Sequence, residues 1–138
     1  MSTEDNKTVV RRYFEEFHSE HNMAIAPEIA PPNQVEFILR LAGMLRTAFP
    51  DYGISITAMV AERDIVATVW SGRGTHEGEW QSPIGPIPAT GKSITWTATT
   101  TLRVDNGKIA ETIGTNWDHL GILQQMEALP AVAPRSGA

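Results

Sequence analysis

The apolar residues of this chain change their spacing at Pro50, and that change limits the folds open to it. Before Pro50 they recur every three to four positions, which indicates amphipathic helices. After Pro50 they alternate with polar residues, which indicates strands. Helices followed by a run of strands predict an α+β fold, in which a curved antiparallel sheet wraps around the N-terminal helices and encloses an apolar pocket.

Two N-terminal helices follow from the spacing. The first is predicted to run from Asn6, as its N-cap, to His21. The second is predicted from Pro32 to Phe49, where Pro50 ends it. The proline-rich residues 26–32 between them are expected to form a connector without helical structure.

Four strands and a short helix are predicted after Pro50. The alternating pattern places the strands at residues 54–60, 65–75, 93–104 and 109–117. Residues 81–92 contain three prolines and two glycines and are expected to form a long loop. Asn106-Gly107 predicts a tight hairpin turn between the last two strands, because both residues tolerate positive φ. A short helix is expected over residues 119–129.

Length and composition predict one domain and exclude several kinds of partner. A chain of 138 residues forms one ordinary domain, expected over residues 1–130, with a frayed tail at 131–138. The net charge of −5 and the absence of a dense Lys/Arg cluster argue against nucleic acid. There is no apolar run long enough to cross a membrane, so a soluble, cytoplasmic protein is expected.

No cofactor or metal is expected from the side chains available. The chain has no cysteine, which excludes disulfides and thiolate chemistry. Four histidines are present, but no Asp or Glu clearly converges on His18 and His21, which share a helix face. His76 lies in a glycine-rich hairpin and is expected to help shape that loop. His119 lies at a helix start and is expected to face solvent, with pairing to a substrate anion as the alternative.

Several blocks of sequence resemble, in order and spacing, the SnoaL-like polyketide cyclases, which have the cone fold of nuclear transport factor two and ketosteroid isomerase. The blocks are residues 48–52 (AFPDY), 72–79 (GRGTHEGE), 88–92 (PATGK), 105–109 (DNGKI) and 116–126 (NWDHLGILQQM). The chain departs from the family between His21 and Asn33, where relatives usually carry a longer second helix and a short strand. Residues from that region cannot be transferred to this chain.

The resemblance implies a reaction and a catalytic residue. It implies intramolecular aldol ring closure of an aromatic polyketide intermediate, with Asp118 as acid and base. A carboxylate in an apolar pocket has a raised pKa and can take the acidic proton between two carbonyls. A second interpretation is that Asp118 only N-caps the helix that starts at His119.

Two other functions remain open at this point. In an epoxide-opening enzyme of the same fold, Asp118 would act as an acid and Tyr13 would assist as a donor. In a non-catalytic module, the protein would bind a small molecule or dimerise without chemistry. A homodimer is expected in any case, because the sheet has apolar residues on both faces and a column of threonines from Thr95 to Thr101.

The resemblance also implies a set of residues around a hydrophobic polycyclic substrate. Aromatic residues of the first helix would contact a flat ring system, and the second helix would form the opposite wall. Thr100 occupies roughly the place where ketosteroid isomerases have an acidic oxyanion donor, and Asn116 would orient a substrate carbonyl. The predicted substrate-binding residues are Tyr13, Phe17, Leu41, Met44, Trp96, Thr100 and Asn116.

Overall fold

The computed structural model describes residues 2–129, and four stretches of α-helix lie among them. α1 spans Thr3–Arg12 and α3 spans Pro32–Ala48. The short helices α2, Ala26–Ile29, and α4, His119–Gln125, complete the set. α3 matches the predicted second helix closely. α2 corrects the expectation of a connector, because Pro27 occupies a first-turn position, where proline is tolerated.

Six strands form two antiparallel sheets within these residues. Strands β1, β2, β5 and β6 form the main sheet in the order β1-β2-β5-β6, and β3 and β4 form a separate hairpin. The hairpin corrects the predicted loop at 81–92. The strands are β1 Gly53–Glu62, β2 Ile65–Thr75, β3 Trp80–Ser82, β4 Gly85–Ile87, β5 Ser93–Asp105 and β6 Lys108–Trp117.

The first helix begins earlier than expected because Ser2 caps it. The Ser2 side chain accepts a hydrogen bond from the Asp5 backbone N–H, and Asp5 Oδ2 accepts one from the Ser2 backbone N–H. This reciprocal capping box satisfies two of the amides left free at a helix start. The prediction of Asn6 as N-cap is therefore wrong; Asn6 is buried and donates to the carbonyl of Arg63.

α1 continues as a π-helix over Tyr13–Ser19. A π-helix closes hydrogen bonds between residues five apart, so Tyr13 and His18 lie one turn from each other. Their rings pack edge to face with centroids 4.6 Å apart. The buried side chains of this segment are Tyr13, Phe14, Phe17 and His18. π-Helical turns are uncommon and frequently occur at functional sites.

The concave face of the main sheet packs against the helices. Along β5, alternate residues from Ile94 to Val104 are buried, whereas the threonines between them are exposed or half-buried. Bulges at Ile56/Ala58 in β1 and at two places along the β5–β6 pair interrupt the ladder, and such bulges increase local bending. The prediction of an α+β fold with a curved antiparallel sheet around N-terminal helices is confirmed.

Gly72 allows the closest packing on the concave face. A Cβ atom at this position would overlap the indole of Trp96 on the neighbouring strand. The absent side chain therefore lets the Trp96 ring lie flat against β2. Trp96 in turn stacks on Trp117, with centroids 5.8 Å apart and planes inclined by 17°.

The predicted turn between the last two strands is present. Asn106 and Gly107 both have positive φ, 50° and 74°, as a two-residue hairpin turn requires. None of the helices in the described residues is long and apolar enough to cross a membrane. The predicted tail at 131–138 lies outside the described residues.

Candidate functional site

A small cavity lies between the π-helical segment, α3 and the concave face of the sheet. Its volume is about 20 Å³, which is room for roughly one water molecule. The lining is mostly apolar and aromatic, with a histidine and two threonines among it. The lining residues are Tyr13, Phe14, His18, Leu41, Leu45, Ile54, Trp70, Thr100, Thr115 and Trp117.

The cavity as it stands is too small for a polycyclic ligand, because ligand pockets usually measure about 300–1,000 Å³. Leu41, Thr115 and Trp117 are the lining residues that are half-buried; the others are buried. The cavity wall is therefore closest to the solvent at these three residues. We call this space the central cavity.

Larger depressions exist, but they lie on the surface. One of about 740 Å³ runs along the outside of β1 and β2 and has an open shape. Among its lining side chains, only Glu62 and Arg63 are ionisable. These two residues flank the β1–β2 turn and are exposed to water. In the central cavity, polar groups converge in an enclosed apolar space, so we take it as the candidate site.

His18 is the histidine of the central cavity, and it is 2% exposed. Its Nδ1 lies 3.1 Å from the hydroxyl of Tyr52. Burial, and to a smaller extent the charge of nearby His21, lowers the pKa of His18 from its ordinary value of 6.5 to about 3. His18 is therefore a neutral imidazole at physiological pH.

Thr100 lies across the cavity on β5. Its Oγ1 accepts a hydrogen bond from Trp70 Nε1 at 2.9 Å and a longer one from Thr115 Oγ1 at 3.3 Å. A hydroxyl has two acceptor positions and one donor. With both acceptor positions in use, the Thr100 O–H remains available to a ligand in the central cavity.

Tyr13 is the second ionisable residue in the cavity wall. Burial raises the pKa of its hydroxyl above the ordinary value, so the phenol stays neutral. Its ring stacks on Phe17 with centroids 5.6 Å apart. Phe17 is fully buried behind Tyr13 and is not part of the lining.

The structure separates the two residues predicted on α3. Leu41 lines the central cavity, together with Leu45 one turn later. Met44 lies instead in a surface groove with Arg40, Thr47 and Glu79. The expectation that Met44 forms the cavity wall is therefore wrong, because its side chain lines the groove beside β3 instead.

Trp96 and Thr100 share a face of β5, as predicted, but they lie at different depths. Thr100 contributes to the cavity lining, whereas Trp96 is buried behind Trp117. Trp96 Nε1 is buried without a hydrogen-bond partner in the described part of the chain. Trp96 thus supports the cavity wall without contacting the space itself.

Asp118 and Asn116 lie outside the central cavity. Asp118 is exposed, and its Oδ1 accepts a hydrogen bond from the Gly121 backbone N–H at 3.0 Å, which makes it the N-cap of α4. Asn116 is exposed opposite Thr99, on the convex face of the sheet. The apolar surroundings expected for Asp118 and the inward orientation expected for Asn116 are therefore wrong. The assignment of Asp118 as acid and base stays a prediction.

Sequence reasoning missed Trp117 and His18 as members of the site. Alternation along β6 places Thr115 and Trp117 on the face opposite Asn116, so the correct face was readable from the sequence. His18 was considered only as a metal ligand. No group of three or more potential metal-ligating side chains occurs in the part of the chain that the structure describes.

His76, the other buried histidine, has a structural environment. Its Nδ1 accepts a hydrogen bond from the Thr90 backbone N–H at 3.2 Å and lies 2.9 Å from Thr90 Oγ1. Its own backbone N–H donates to the carbonyl of Lys92. These bonds attach the segment after β4 to the end of β2. The interpretation of His76 as a residue that shapes its loop agrees with this geometry.

Comparison with known proteins gives the family. The model of the SnoaL-like polyketide cyclases matches residues 5–126, which is most of the chain. No curated protein matches the sequence. The match therefore gives a family and leaves the reaction to be argued from the site.

Solved structures of low sequence identity share the fold. AclR from Streptomyces galilaeus, described as a candidate hydroxylase, is 20% identical and has a TM-score of 0.79; the match covers 96% of this chain and 91% of AclR. A candidate polyketide cyclase from Acidithiobacillus ferrooxidans is 24% identical, with a TM-score of 0.73 and coverages of 92% and 98%. IdmH from Streptomyces antibioticus, also a candidate polyketide cyclase, is 22% identical, with a TM-score of 0.74 and coverages of 88% and 98%.

Proposed function

The chain belongs to the SnoaL-like polyketide cyclase family, and on that premise we propose that it catalyses intramolecular aldol ring closure of a polyketide intermediate bound in the central cavity. The observation that carries the proposal is the composition of the cavity wall. Aromatic and aliphatic side chains surround the neutral polar side chains of Tyr13, His18, Thr100 and Thr115. Such a wall favours an uncharged, flat carbonyl compound.

The reaction needs a proton acceptor and a group that stabilises the developing negative charge. A carboxylate removes a proton from the carbon between two carbonyls, and the electron pair of the C–H bond passes to the carbonyl oxygen as an enolate. The enolate carbon then bonds to a ketone carbon of the same molecule. The alkoxide formed there takes the proton back, so the product is an isomer of the substrate.

Asp118 is the proton acceptor in this proposal, as the family resemblance implies. No carboxylate lines the closed cavity within the described residues. Asp118 follows Trp117 directly in the chain, and Trp117 is a half-buried residue of the cavity wall. In this proposal the ligand enters by displacing Trp117, while the cap bond to Gly121 fixes the orientation of the Asp118 carboxylate. The substrate would meet this carboxylate once Trp117 has moved.

The proposed function is tested first with a panel of tricyclic and tetracyclic polyketides that carry an unclosed side chain. Binding is measured by quenching of tryptophan fluorescence, since Trp70 and Trp117 line the cavity. Ring closure is measured by the change in absorbance of a product whose mass equals that of the substrate. We expect micromolar binding and closure for some of these compounds and neither for unrelated apolar molecules of similar size. Binding without closure would make the protein a binding module, and opening of an epoxide analogue in place of closure would make it an epoxide-opening enzyme.

A further inference from the structure

The pairing of His18 with Tyr52 has consequences for the central cavity. Tyr52 is 1% exposed, and two histidines hold it in place. His21 Nε2 donates to the backbone carbonyl of Tyr52 at 2.7 Å, and the two rings stack with centroids 4.3 Å apart. The Tyr52 hydroxyl lies 3.1 Å from His18 Nδ1. The phenol is therefore fixed against one defined nitrogen of His18.

The hydrogen bond to Tyr52 determines which ring nitrogen of His18 carries the proton. A buried hydroxyl that finds no acceptor costs about 1–3 kcal/mol. Within residues 2–129, His18 Nδ1 is the acceptor that lies within hydrogen-bond distance of the Tyr52 hydroxyl. The hydroxyl therefore donates to Nδ1, which must be unprotonated to accept. A neutral imidazole carries one proton, and that proton is then on Nε2.

The Nε2–H group is left for a ligand. His18 lines the central cavity, and none of the described residues hydrogen-bonds to its Nε2. Only 2% of the surface of His18 is exposed. Nε2 is not one of the completely buried side-chain atoms that lack a partner in residues 2–129, so it keeps accessible surface that a ligand can contact. The cavity thus presents a fixed N–H donor toward the space where a substrate would lie.

A neutral imidazole suits this task better than it suits proton abstraction. Burial holds the pKa of His18 near 3, so the ring is a weak base but remains an N–H donor at every physiological pH. Neutral imidazoles can polarise carbonyl groups in this way. A fixed donor in a dry cavity stabilises an oxyanion strongly, because no reorganisation is needed when the charge forms.

We propose that His18 is a catalytic residue that donates a hydrogen bond from Nε2 to the substrate carbonyl oxygen and to the enolate oxygen that it becomes, with Tyr52 as the positioning residue that fixes the tautomer. The nature of the oxygen rests on the proposed function. The position of the proton does not, because it follows from contacts within the protein. Two experiments therefore distinguish a failure of the His18 donor role from a failure of the proposed function.

The tautomer is measured directly by ¹⁵N NMR of the full-length protein with labelled histidine at pH 7. We expect the His18 signals of an unprotonated Nδ1 and a protonated Nε2. Tyr52→Phe removes the hydroxyl while keeping the ring, and should produce a mixture of both tautomers at His18. A purely packing role of Tyr52 would leave the His18 signals unchanged. Protonated Nδ1 in the wild-type protein, or no change in Tyr52→Phe, would overturn the proposal.

The donor is tested with 4-nitrophenolate at pH 8, a planar oxyanion whose charge is delocalised as in an enolate. We expect His18→Phe, which keeps a buried ring, to bind it at least tenfold more weakly than wild type. 4-Nitrotoluene, which lacks the oxygen, should bind both proteins equally. His76→Phe is the matched control, because His76 is also buried but lies outside the lining, and it should bind 4-nitrophenolate like wild type.

The outcomes of this second experiment are distinct. Equal binding of 4-nitrophenolate to wild type and His18→Phe, or no binding to wild type, would overturn the donor role. If His18→Phe fails to fold, Tyr52→Phe takes its place and should weaken 4-nitrophenolate binding without weakening that of 4-nitrotoluene. If His18→Phe weakens 4-nitrophenolate binding but the wild-type protein closes no polyketide ring, the proposed function is wrong. His18 would then be the hydrogen-bond donor of a different carbonyl-binding site.

Discussion

Asp118 can be interpreted from the sequence either as a helix N-cap or as an acid–base group, and its surroundings in the structure distinguish the two. Its hydrogen bond to the Gly121 N–H identifies the cap role, and its exposure places it outside the closed cavity. The cap role was readable from the sequence, because Asp is a favoured N-cap residue and a helix was predicted to follow. Whether the same carboxylate also takes a proton depends on how far the substrate reaches past Trp117.

Asparagine and alanine at position 118 separate the two roles. Asn caps a helix about as well as Asp, whereas Ala loses the cap at a cost of about 1 kcal/mol. We expect Asp118→Asn to retain the wild-type melting temperature and to lose at least about a hundredfold in turnover, the scale of one acid–base group. Asp118→Ala should lose turnover and also melt at a lower temperature. Full turnover in Asp118→Asn would leave the cap as the whole role of this residue.

At the residue scale, the sequence predicted the types of side chain around the cavity better than their individual positions. Tyr13, Leu41 and Thr100 lie in the lining of the central cavity. The regular periodicity of α3 and β5 explains Leu41 and Thr100, whereas Tyr13 lies where the π-helical segment begins. Asn116 was assigned to the wrong face, because the argument began from Asp118, which lies beyond the end of β6. His18 was missed as a cavity residue because a π-helix has no recognised sequence signal.

At the scale of elements, local signals were reliable where one residue type dictates the backbone. Pro50 ends α3 two residues after its last helical position, and Asn106-Gly107 forms the predicted turn. The short elements α2, β3 and β4 were missed because proline and glycine suppress their patterns. Their three or four residues are stabilised by packing against neighbouring elements, which a linear sequence does not display.

The β5–β6 turn offers a direct test of backbone conformation. Asn106 has φ of 50°, a conformation that costs most residues with a Cβ about 1–2 kcal/mol and that glycine adopts freely. We expect Asn106→Ala to lower the free energy of unfolding by about 1 kcal/mol and Asn106→Gly to leave it nearly unchanged, as measured by urea denaturation. Equal losses in the two variants would show that the side chain of Asn106, and not its backbone, stabilises the turn.

At the scale of the whole molecule, a buried neutral histidine links stability to pH. The unfolded chain protonates His18 near its ordinary pKa of 6.5, whereas the folded protein does so only near 3. Between these values the unfolded state binds more protons, so stability falls as the pH is lowered. The lowered pKa of buried His76 adds to the loss in the same direction.

The contribution of His18 is isolated by comparison with His18→Gln, which cannot titrate. Between about pH 6 and pH 4 we expect the wild-type free energy of unfolding to decrease more steeply than that of the variant, by up to about 1 kcal/mol per pH unit. Urea denaturation at each pH measures both slopes. Parallel slopes would show that His18 is protonated in the folded protein over this range.

The convex face of the main sheet is the surface that we propose for a homodimer. The middle of this face is uncharged across β1, β2, β5 and β6, whereas charged residues such as Arg73, Arg103 and Glu111 lie toward the strand ends. An uncharged region in the middle of a sheet face favours a self-complementary contact. The residues that form it are Val60, Ala67, Val69, Thr97, Thr99 and Asn116.

Light scattering at micromolar concentration tests the dimer. We expect a mass of twice 15.1 kDa for the wild-type chain and a monomer for Val69→Arg, which places a charge in the middle of the face. Ile84→Arg is the control, since Ile84 is exposed on the β3–β4 hairpin, and should remain dimeric. A wild-type monomer, or a dimer that tolerates Val69→Arg, would place the contact elsewhere or remove it.

The account as a whole depends on ligand binding inside the central cavity, and the indole N–H signals of the four tryptophans report this directly in two-dimensional ¹⁵N NMR. Trp70 and Trp117 line the cavity, and Trp70 Nε1 donates to Thr100. During titration with a polyketide that the protein binds, we predict the largest shifts for Trp70 and Trp117 and smaller ones for Trp80 and Trp96. Shifts confined to Trp80 or Trp96, or no shift at saturation, would mean that the ligand binds outside the cavity and would contradict the account.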